Sequence, residues 1–107
     1  MIIEVLKVTC PPELREAFIA RDAEVWTPAL AKQSGFISKE VWASLEDPSQ
    51  VTLVIRWESW AHWKAFPAAW SKVLDAQMGD LLMLVNCQSY EVAHPTTWGR
   101  HSSFEDV

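Results

Sequence analysis

The sequence predicts a single α+β domain in which strands and helices follow each other in the order βαββαβ. The chain has 107 residues, half of them apolar, and this is enough for one hydrophobic core. Short stretches rich in β-branched residues alternate with longer stretches of helical periodicity. Turn-forming residues separate these stretches, so that six elements fit into one domain.

The N-terminal part of the chain predicts a strand followed by a long helix. Residues 2–9 are apolar and β-branched, as in a strand. The Pro11-Pro12 pair marks the start of a helix that extends to about Gln33, because proline is tolerated in a first helical turn. Pro28 lies inside this helix and predicts a kink, since proline removes one backbone hydrogen bond.

The remainder predicts a hairpin, a second helix and a fourth strand. Residues 36–46 and 51–58 form the second and third strands, joined by a turn that contains proline. Ser59 can cap the second helix, which Pro67 bends or divides into two pieces. Residues 81–93 then form the last strand.

Connection rules arrange these elements as a ferredoxin-like fold. Two right-handed crossovers and one hairpin give an antiparallel sheet of strand order 4-1-3-2, with both helices on one face. Alternation along the third strand turns Leu53 and Ile55 toward the helices and Val54 toward the opposite face. A bare face that carries Val54 and Val41 is unfavourable in water, so we expect a homodimer of face-to-face sheets, a dimeric α/β barrel.

The domain is expected to span residues 1–93, with a C-terminal tail at 94–107. In the tail the composition shifts to Pro, Thr, Gly, Ser and His without periodicity. We expect this tail to be loose, or to dock on a partner through Trp98 and Phe104.

Charge, cysteine and histidine content argue against several classes of function. The net charge is −5 and no basic stripe occurs, which argues against nucleic-acid binding and against binding to an anionic membrane surface. No apolar run is long enough to span a membrane. Cys10 and Cys87 are predicted to be free and buried, as in a reducing compartment, and we expect a cytoplasmic protein. His62, His94 and His101 match no metal-ligand spacing, so no metal site is predicted.

Five segments together match the pattern of a known family. These are Pro11-Pro12-Glu13-Leu14-Arg15 with Phe18, Glu24-Val25-Trp26-Thr27-Pro28, Gly35-Phe36 with Lys39-Glu40-Val41-Trp42, Leu53-Val54-Ile55-Arg56-Trp57-Glu58-Ser59 with Trp63-Lys64, and Met78-Gly79-Asp80. Over residues 2–92 the chain thereby resembles the antibiotic-biosynthesis-monooxygenase-like family, and more narrowly a bacterial and cyanobacterial subgroup of it. The resemblance implies the ferredoxin-like fold and the dimer, whereas function has to be argued from the site.

The resemblance also implies a kind of chemistry. Enzymes of one branch of the family oxidise polyphenols without metal or flavin: the substrate loses a proton, and its anion passes an electron to oxygen. Such a site needs an apolar cavity with one or two polar groups that favour the anion. We expect no cofactor, and a small aromatic ligand as partner. The candidate catalytic residues are His62, Asp22 and Arg56, and the candidate ligand-binding residues are Trp26, Trp63, Phe66 and Tyr90.

Each candidate also has a purely structural interpretation. Asp22 falls on the inner side of the first helix, where a carboxylate must be paired or protonated. An ion pair with Arg56 or another strand base explains it equally well. His62 lies in the first turn of the second helix, where an exposed position is common. The tryptophans can fill a core or a subunit interface instead of lining a pocket.

A second branch of the family binds and degrades haem. That branch requires a histidine late in the second helix and an asparagine in the first strand. Residues 73–78 contain no histidine, residues 2–9 contain no asparagine, and His62 comes too early in the helix. We therefore expect no haem turnover.

Two functions of different class are compatible with the sequence. The first is a small-molecule-binding domain that acts as a cofactor-independent oxygenase on an aromatic or planar substrate. The second is a non-catalytic dimeric module that senses a ligand or serves in a stress response. A cavity of about 300 Å³ or more between helices and sheet favours a ligand site, whereas Trp26 and Trp63 filling that space would exclude one.

Overall fold

The computed structural model describes residues 1–96, which form one four-stranded sheet with helices packed on one face. The elements are β1 (Ile2–Thr9), α1 (Arg15–Ala31), β2 (Phe36–Ala43), β3 (Gln50–Trp57), α2 (Trp60–Lys64), α3 (Ala68–Met78) and β4 (Leu84–Glu91). Short 3₁₀ turns, Pro12–Leu14 and Gly79–Leu81, precede α1 and follow α3. Trp98 and Phe104 of the predicted tail lie outside the described residues.

The sheet has the strand order β2-β3-β1-β4, and every neighbouring pair is antiparallel, which confirms the predicted order. In the central strand β1, Val5 lies opposite Val54 of β3 and Gln88 of β4. Side chains alternate along each strand, so one face of the sheet is turned toward the helices and the other away from them. We call these the inner face and the outer face.

Capping and proline residues set the boundaries of the helices after β3. The Ser59 hydroxyl caps α2 by accepting a hydrogen bond from the His62 backbone N–H over 3.2 Å. Pro67 has an extended conformation and divides the second helical stretch into α2 and α3. By contrast, α1 stays helical across Pro28 and ends at Ala31.

Two strands are shorter than the sequence predicts. β2 ends three residues early, at Ala43, because the Ser44 hydroxyl accepts a hydrogen bond from the Asp47 backbone N–H and begins the turn there. β4 begins three residues late, at Leu84, because the chain first completes the 3₁₀ turn Gly79–Leu81.

The hydrophobic core lies between the inner face and the helices. Val51, Ile55 and Trp57 of β3 are buried there. Phe18 and Leu30 of α1 pack against the strands in two neighbouring clusters. The central strands therefore form the floor of the space between the sheet and the helices.

The outer face differs from the prediction at Val41. A register shift between Phe36 and Ser38 displaces the pairing of β2 by one residue, so that Val41 pairs with Leu53. Because a one-residue shift turns side chains to the opposite face, Val41 joins the core instead of the bare surface. Val54 does lie on the outer face, where side chains of neighbouring strands leave it 2% exposed.

The cysteines also differ from the prediction. Both are free thiols, but only Cys10 is buried, whereas Cys87 is exposed. The prediction of two buried cysteines is wrong for Cys87 because all eight residues of β4 are exposed. One edge of the inner face is therefore open to solvent.

Candidate functional site

A cavity of about 620 Å³ lies between the inner face and the helices. Its aromatic wall residues are Phe18, Trp26, Trp57, Trp63 and Phe66. Its charged wall residues are Glu4, Asp22, Lys39, Lys64 and Asp75. The volume exceeds the roughly 300 Å³ that a ligand site requires, so the tryptophan rings line this space without filling it.

Two of the aromatic wall residues stack on each other. Trp26 and Phe66 stack with ring centroids 5.9 Å apart and an interplanar angle of 29°. Trp70 supports Phe66 edge-on at 6.2 Å from outside the cavity. Aromatic wall residues favour a planar aromatic ligand, because aromatic rings pack on one another by offset stacking or edge-to-face contact.

A buried ion pair stands on another wall. The Nζ atom of Lys39 lies 2.6 Å from Oδ2 of Asp22, and the two side chains are 4% and 3% exposed. Lys39 also donates a hydrogen bond to Oγ1 of Thr27 over 2.8 Å. An ammonium group has three N–H donors, and residues 1–96 supply two acceptors, so one donor remains for a ligand atom.

A second polar group stands on the floor of the cavity. Oε1 of Glu4 accepts a hydrogen bond from the indole N–H of Trp57 over 3.1 Å. Burial raises the pKa of Glu4 above its ordinary value of 4.5. The Trp57 hydrogen bond and the charges of Lys64 and Lys39 act in the opposite direction, but burial dominates.

The two polar sites lie in one row across the sheet. Glu4 of β1 and Lys39 of β2 both pair with Ile55 of the intervening strand β3. Paired residues point to the same face, and neighbouring strands are about 4.8 Å apart, so the two backbones are about 10 Å apart. Glu4 and Lys39 thus start from one row of the sheet, on either side of Ile55, and the charge of Lys39 acts on the Glu4 carboxyl group.

Two further charged groups border the cavity. The Nζ atom of Lys64 lies 3.9 Å from the ring centroid of Trp63 and 4.8 Å from that of Trp60. These contacts hold the cation by attraction to the aromatic faces. On α3, burial raises the pKa of the Asp75 carboxyl group.

Four of the seven sequence-predicted site residues line this cavity: Asp22, Trp26, Trp63 and Phe66. Of the two kinds of partner expected for Asp22, Arg56 or another basic residue on a strand, the structure has the second, because Asp22 pairs with Lys39 of β2. The alternation of β3 places Arg56 on the outer face, where it donates to Oε2 of Glu40 over 2.7 Å.

His62 and Tyr90 lie away from the cavity. Nδ1 of His62 is 2.7 Å from the Ser59 hydroxyl, and Nε2 is 3.9 Å from the Glu58 carboxylate. The His62 ring packs over Gly35 and does not line the cavity. This agrees with the structural interpretation of His62 as a residue at the start of a helix. Tyr90 is turned to the outer face because it pairs with Ile3, and its hydroxyl donates to Gln88 over 2.9 Å.

Sequence reasoning missed Glu4, Lys39, Trp57 and other wall residues. A signal for Glu4 exists, because it is the polar member of an apolar inner row in β1. No comparable signal exists for Lys39. The register shift that reverses its face is not visible in the alternation of β2.

Neither a metal-binding cluster nor a membrane-spanning helix occurs in the part of the chain that the structure describes. No group of three His, Cys, Asp or Glu side chains converges there in a way that could hold a metal ion. None of the helices within residues 1–96 is long and apolar enough to cross a membrane.

Fold and site define a class: a small α+β protein whose sheet and helices enclose an aromatic cavity with a few buried polar groups. Residues 1–69 match the family model described as antibiotic biosynthesis monooxygenase. This match covers more than half of the chain, so the chain belongs to that family. No curated protein sequence is significantly similar to the chain.

Solved structures at low sequence identity share the fold of this chain. The monooxygenase from the ActVA-Orf6 gene of Streptomyces coelicolor, in complex with nanaomycin D, has a TM-score of 0.76 at 14% identity and covers 92% of each chain. SnoaB, a cofactor-independent oxygenase from Streptomyces nogalater, has a TM-score of 0.64 at 13% identity, over 88% of this chain and 94% of its own. Rv0793 from Mycobacterium tuberculosis has a TM-score of 0.69 at 18% identity, and the match covers 90% of this chain and 98% of Rv0793.

Proposed function

We propose that this protein binds a planar aromatic molecule in the cavity and oxidises it as a cofactor-independent oxygenase. The observation that carries the proposal is the cavity itself, about 620 Å³ in volume, with aromatic walls and a buried ion pair. Cavities of this size, mostly apolar with a few polar groups, are typical of small-molecule sites.

The cavity walls suit the chemistry of such an oxidation. Trp26, Trp63 and Phe66 offer flat surfaces to the ligand rings. Asp22 holds Lys39 in place, and the remaining N–H of Lys39 can stabilise an anionic oxygen of the ligand. In a cavity of low dielectric constant this contact is stronger than in water, so it favours the deprotonated substrate.

The overall reaction balances with O₂ alone. A phenolic substrate loses one hydrogen from carbon and one from oxygen. One oxygen atom of O₂ becomes a new carbonyl group on that carbon, and the other leaves as water with the two hydrogens. The substrate anion supplies the electrons, so the reaction needs neither a metal nor a flavin.

Two solved structures make this reaction class a reasonable proposal here. One of them is a monooxygenase in complex with nanaomycin D, and another is a cofactor-independent oxygenase. We also propose that the protein acts as a homodimer through its outer face. The alternative function, a non-catalytic ligand-binding module, shares the cavity and differs in one result only, the consumption of oxygen.

The test uses a matched pair of probes, a dihydroxynaphthalene and its dimethyl ether, which has no ionisable hydroxyl. Quenching of tryptophan fluorescence measures binding, and an oxygen electrode measures turnover. We expect oxygen uptake with the diol only. Binding of the diol without uptake supports the non-catalytic module, and no binding of either probe contradicts the proposal.

A variant pair localises the binding. Trp26→Leu removes one stacking surface from the cavity and should weaken diol binding about threefold to tenfold. Trp42→Leu makes the same change on the outer face and should leave the affinity unchanged. Equal effects of the two substitutions would place the ligand elsewhere.

A further inference from the structure

The carboxyl group of Glu4 occupies an unusual position on the floor of the cavity. The inner row of β1 consists of Ile2, Glu4, Leu6 and Val8, so Glu4 is its one polar member. A carboxyl group in such a row loses hydration, which costs free energy. An apolar side chain at the same position would pack better. The hydrogen bond from the buried Trp57 indole accounts for one carboxyl oxygen of Glu4 and leaves the role of the other oxygen open.

The hydrogen bonding of Glu4 leaves one oxygen free. Its Oε1 accepts from the fully buried indole of Trp57, which fixes the orientation of the carboxyl group. Oε2 makes no hydrogen bond to any side chain among residues 1–96, and Glu4 lines the cavity. The group is therefore an oriented proton acceptor with one unused oxygen.

The titratable groups around Glu4 come from five neighbouring elements. They are Asp22 of α1, Lys39 of β2, Lys64 of α2, Asp75 of α3 and the thiol of Cys87 on β4. Lys39 is already paired with Asp22, and Lys64 lies against two tryptophan rings. Glu4 therefore has no direct ion-pair partner among the described residues and keeps its capacity for a proton.

We propose that Glu4 accepts the hydroxyl proton of the ligand, and that it makes the cavity select neutral planar phenols and reject aromatic carboxylates. This inference rests on the proposed function and adds the residue that accepts the proton and distinguishes phenols from aromatic acids. It follows from the row that Glu4 and Lys39 form on either side of Ile55. A fused-ring phenol on this floor can place one oxygen near the carboxyl group and another near the ammonium group.

The proton step is balanced within the site. The O–H bond of the ligand breaks, its proton moves to the free carboxylate oxygen of Glu4, and the electron pair stays on the ligand. The negative charge spreads through the rings toward the oxygen near Lys39. Raised by burial, the pKa of Glu4 makes it a better proton acceptor than an exposed carboxylate.

Selection against acids follows from the same charges. The cavity walls carry three carboxyl groups and two ammonium groups. A ligand carboxylate beside Glu4 would add a like charge in a poorly hydrated place, whereas a hydroxyl group would donate a hydrogen bond there. The cavity thus distinguishes a donor from an anion of similar shape.

Equilibrium binding without oxygen tests this inference separately from turnover. Fluorescence quenching under argon compares a dihydroxynaphthalene with a naphthalene dicarboxylate. The wild type should bind the diol at least about tenfold more tightly than the diacid. Glu4→Gln keeps an acceptor for Trp57 but loses the charge, so the ratio should fall to within about threefold.

Matched variants provide the controls. Glu91→Gln makes the same change on exposed β4, outside the cavity, and should keep the wild-type ratio. Glu4→Asp retains the charge and should keep most of the selectivity. Circular dichroism establishes that each variant is folded. An unchanged ratio in folded Glu4→Gln would overturn the inference while leaving the proposed function intact.

A measurement on the wild type covers the case in which Glu4→Gln does not fold. A naphthalene disulfonate is anionic at every accessible pH, so its binding reports on the protein alone. Its affinity relative to the diol should rise as the pH falls and Glu4 becomes protonated. A ratio independent of pH would contradict the inference. Absence of diol binding to the wild type would overturn the proposed function and this inference together.

Discussion

Lys39 of β2 and Asp22 of α1 form a buried ion pair in which Nζ and Oδ2 are 2.6 Å apart. The pair joins the first helix to the edge strand of the sheet and forms part of the cavity wall. Both side chains are almost completely buried, so each charge depends on the other for compensation.

Lys39→Met should lower the free energy of unfolding by about 3–5 kcal/mol, because it leaves the Asp22 carboxylate buried without a cation. Urea denaturation measures the change. The double variant Asp22→Asn with Lys39→Met removes both charges and should recover most of the loss. A loss below about 1 kcal/mol in the single variant would mean that Asp22 finds another partner or water.

Gly35→Ala should destabilise the protein more than Gly79→Ala. Both glycines have positive φ, +81° and +61°, so alanine is strained at either position. A Cβ atom at Gly35 would lie 2.2 Å from Cγ of His62, whereas at Gly79 the nearest atom, in Arg21, is 3.8 Å away. We expect Gly35→Ala to lose about 2 kcal/mol more in thermal or urea unfolding. Equal losses would show that α2 shifts freely.

The stability of the wild type should depend on pH through Glu4. Its pKa is raised in the folded state, so folding favours the protonated form. The corresponding stabilisation is fully present below pH 4.5, the ordinary pKa, and is lost as the pH rises through the folded pKa. The difference in unfolding free energy between wild type and Glu4→Gln should therefore change over this range. A constant difference would contradict the raised pKa.

The outer face should mediate dimer formation. Trp42, which is 52% exposed, lies on that face, and Trp42→Glu should produce a monomer. Leu45→Glu introduces the same charge at a residue that is 95% exposed in the hairpin turn, and should leave the dimer intact. Sedimentation velocity at micromolar concentration distinguishes the two results. A wild-type monomer would exclude the face-to-face dimer.

The fold was predictable because local and global signals agree. Pro67 and Ser59 fix the boundaries of the second helical stretch, and alternation along β3 identifies Leu53 and Ile55 as core residues. Connection rules then leave one strand order, which the structure has.

The site was predictable only in part, because the face of a strand residue depends on register. Trp26 follows from helical periodicity, which a single sequence reveals. Lys39 depends on the shift between Phe36 and Ser38, a tertiary feature that reverses the face of everything after it in β2. Glu4 is recognisable in the sequence as a polar residue in an apolar row. It indicates a site residue only when the position of the helices shows that this row faces inward.

The exposure of β4 bears on how fast a ligand can enter and leave. Val85 borders the cavity, yet all eight residues of its strand are exposed. A ligand can therefore cross this edge without displacing any described helix, and no slow opening step precedes association. Stopped-flow quenching should show a single exponential whose rate rises linearly with ligand concentration. Residence time would then depend on the ring and polar contacts inside, so substitutions there should change dissociation far more than association.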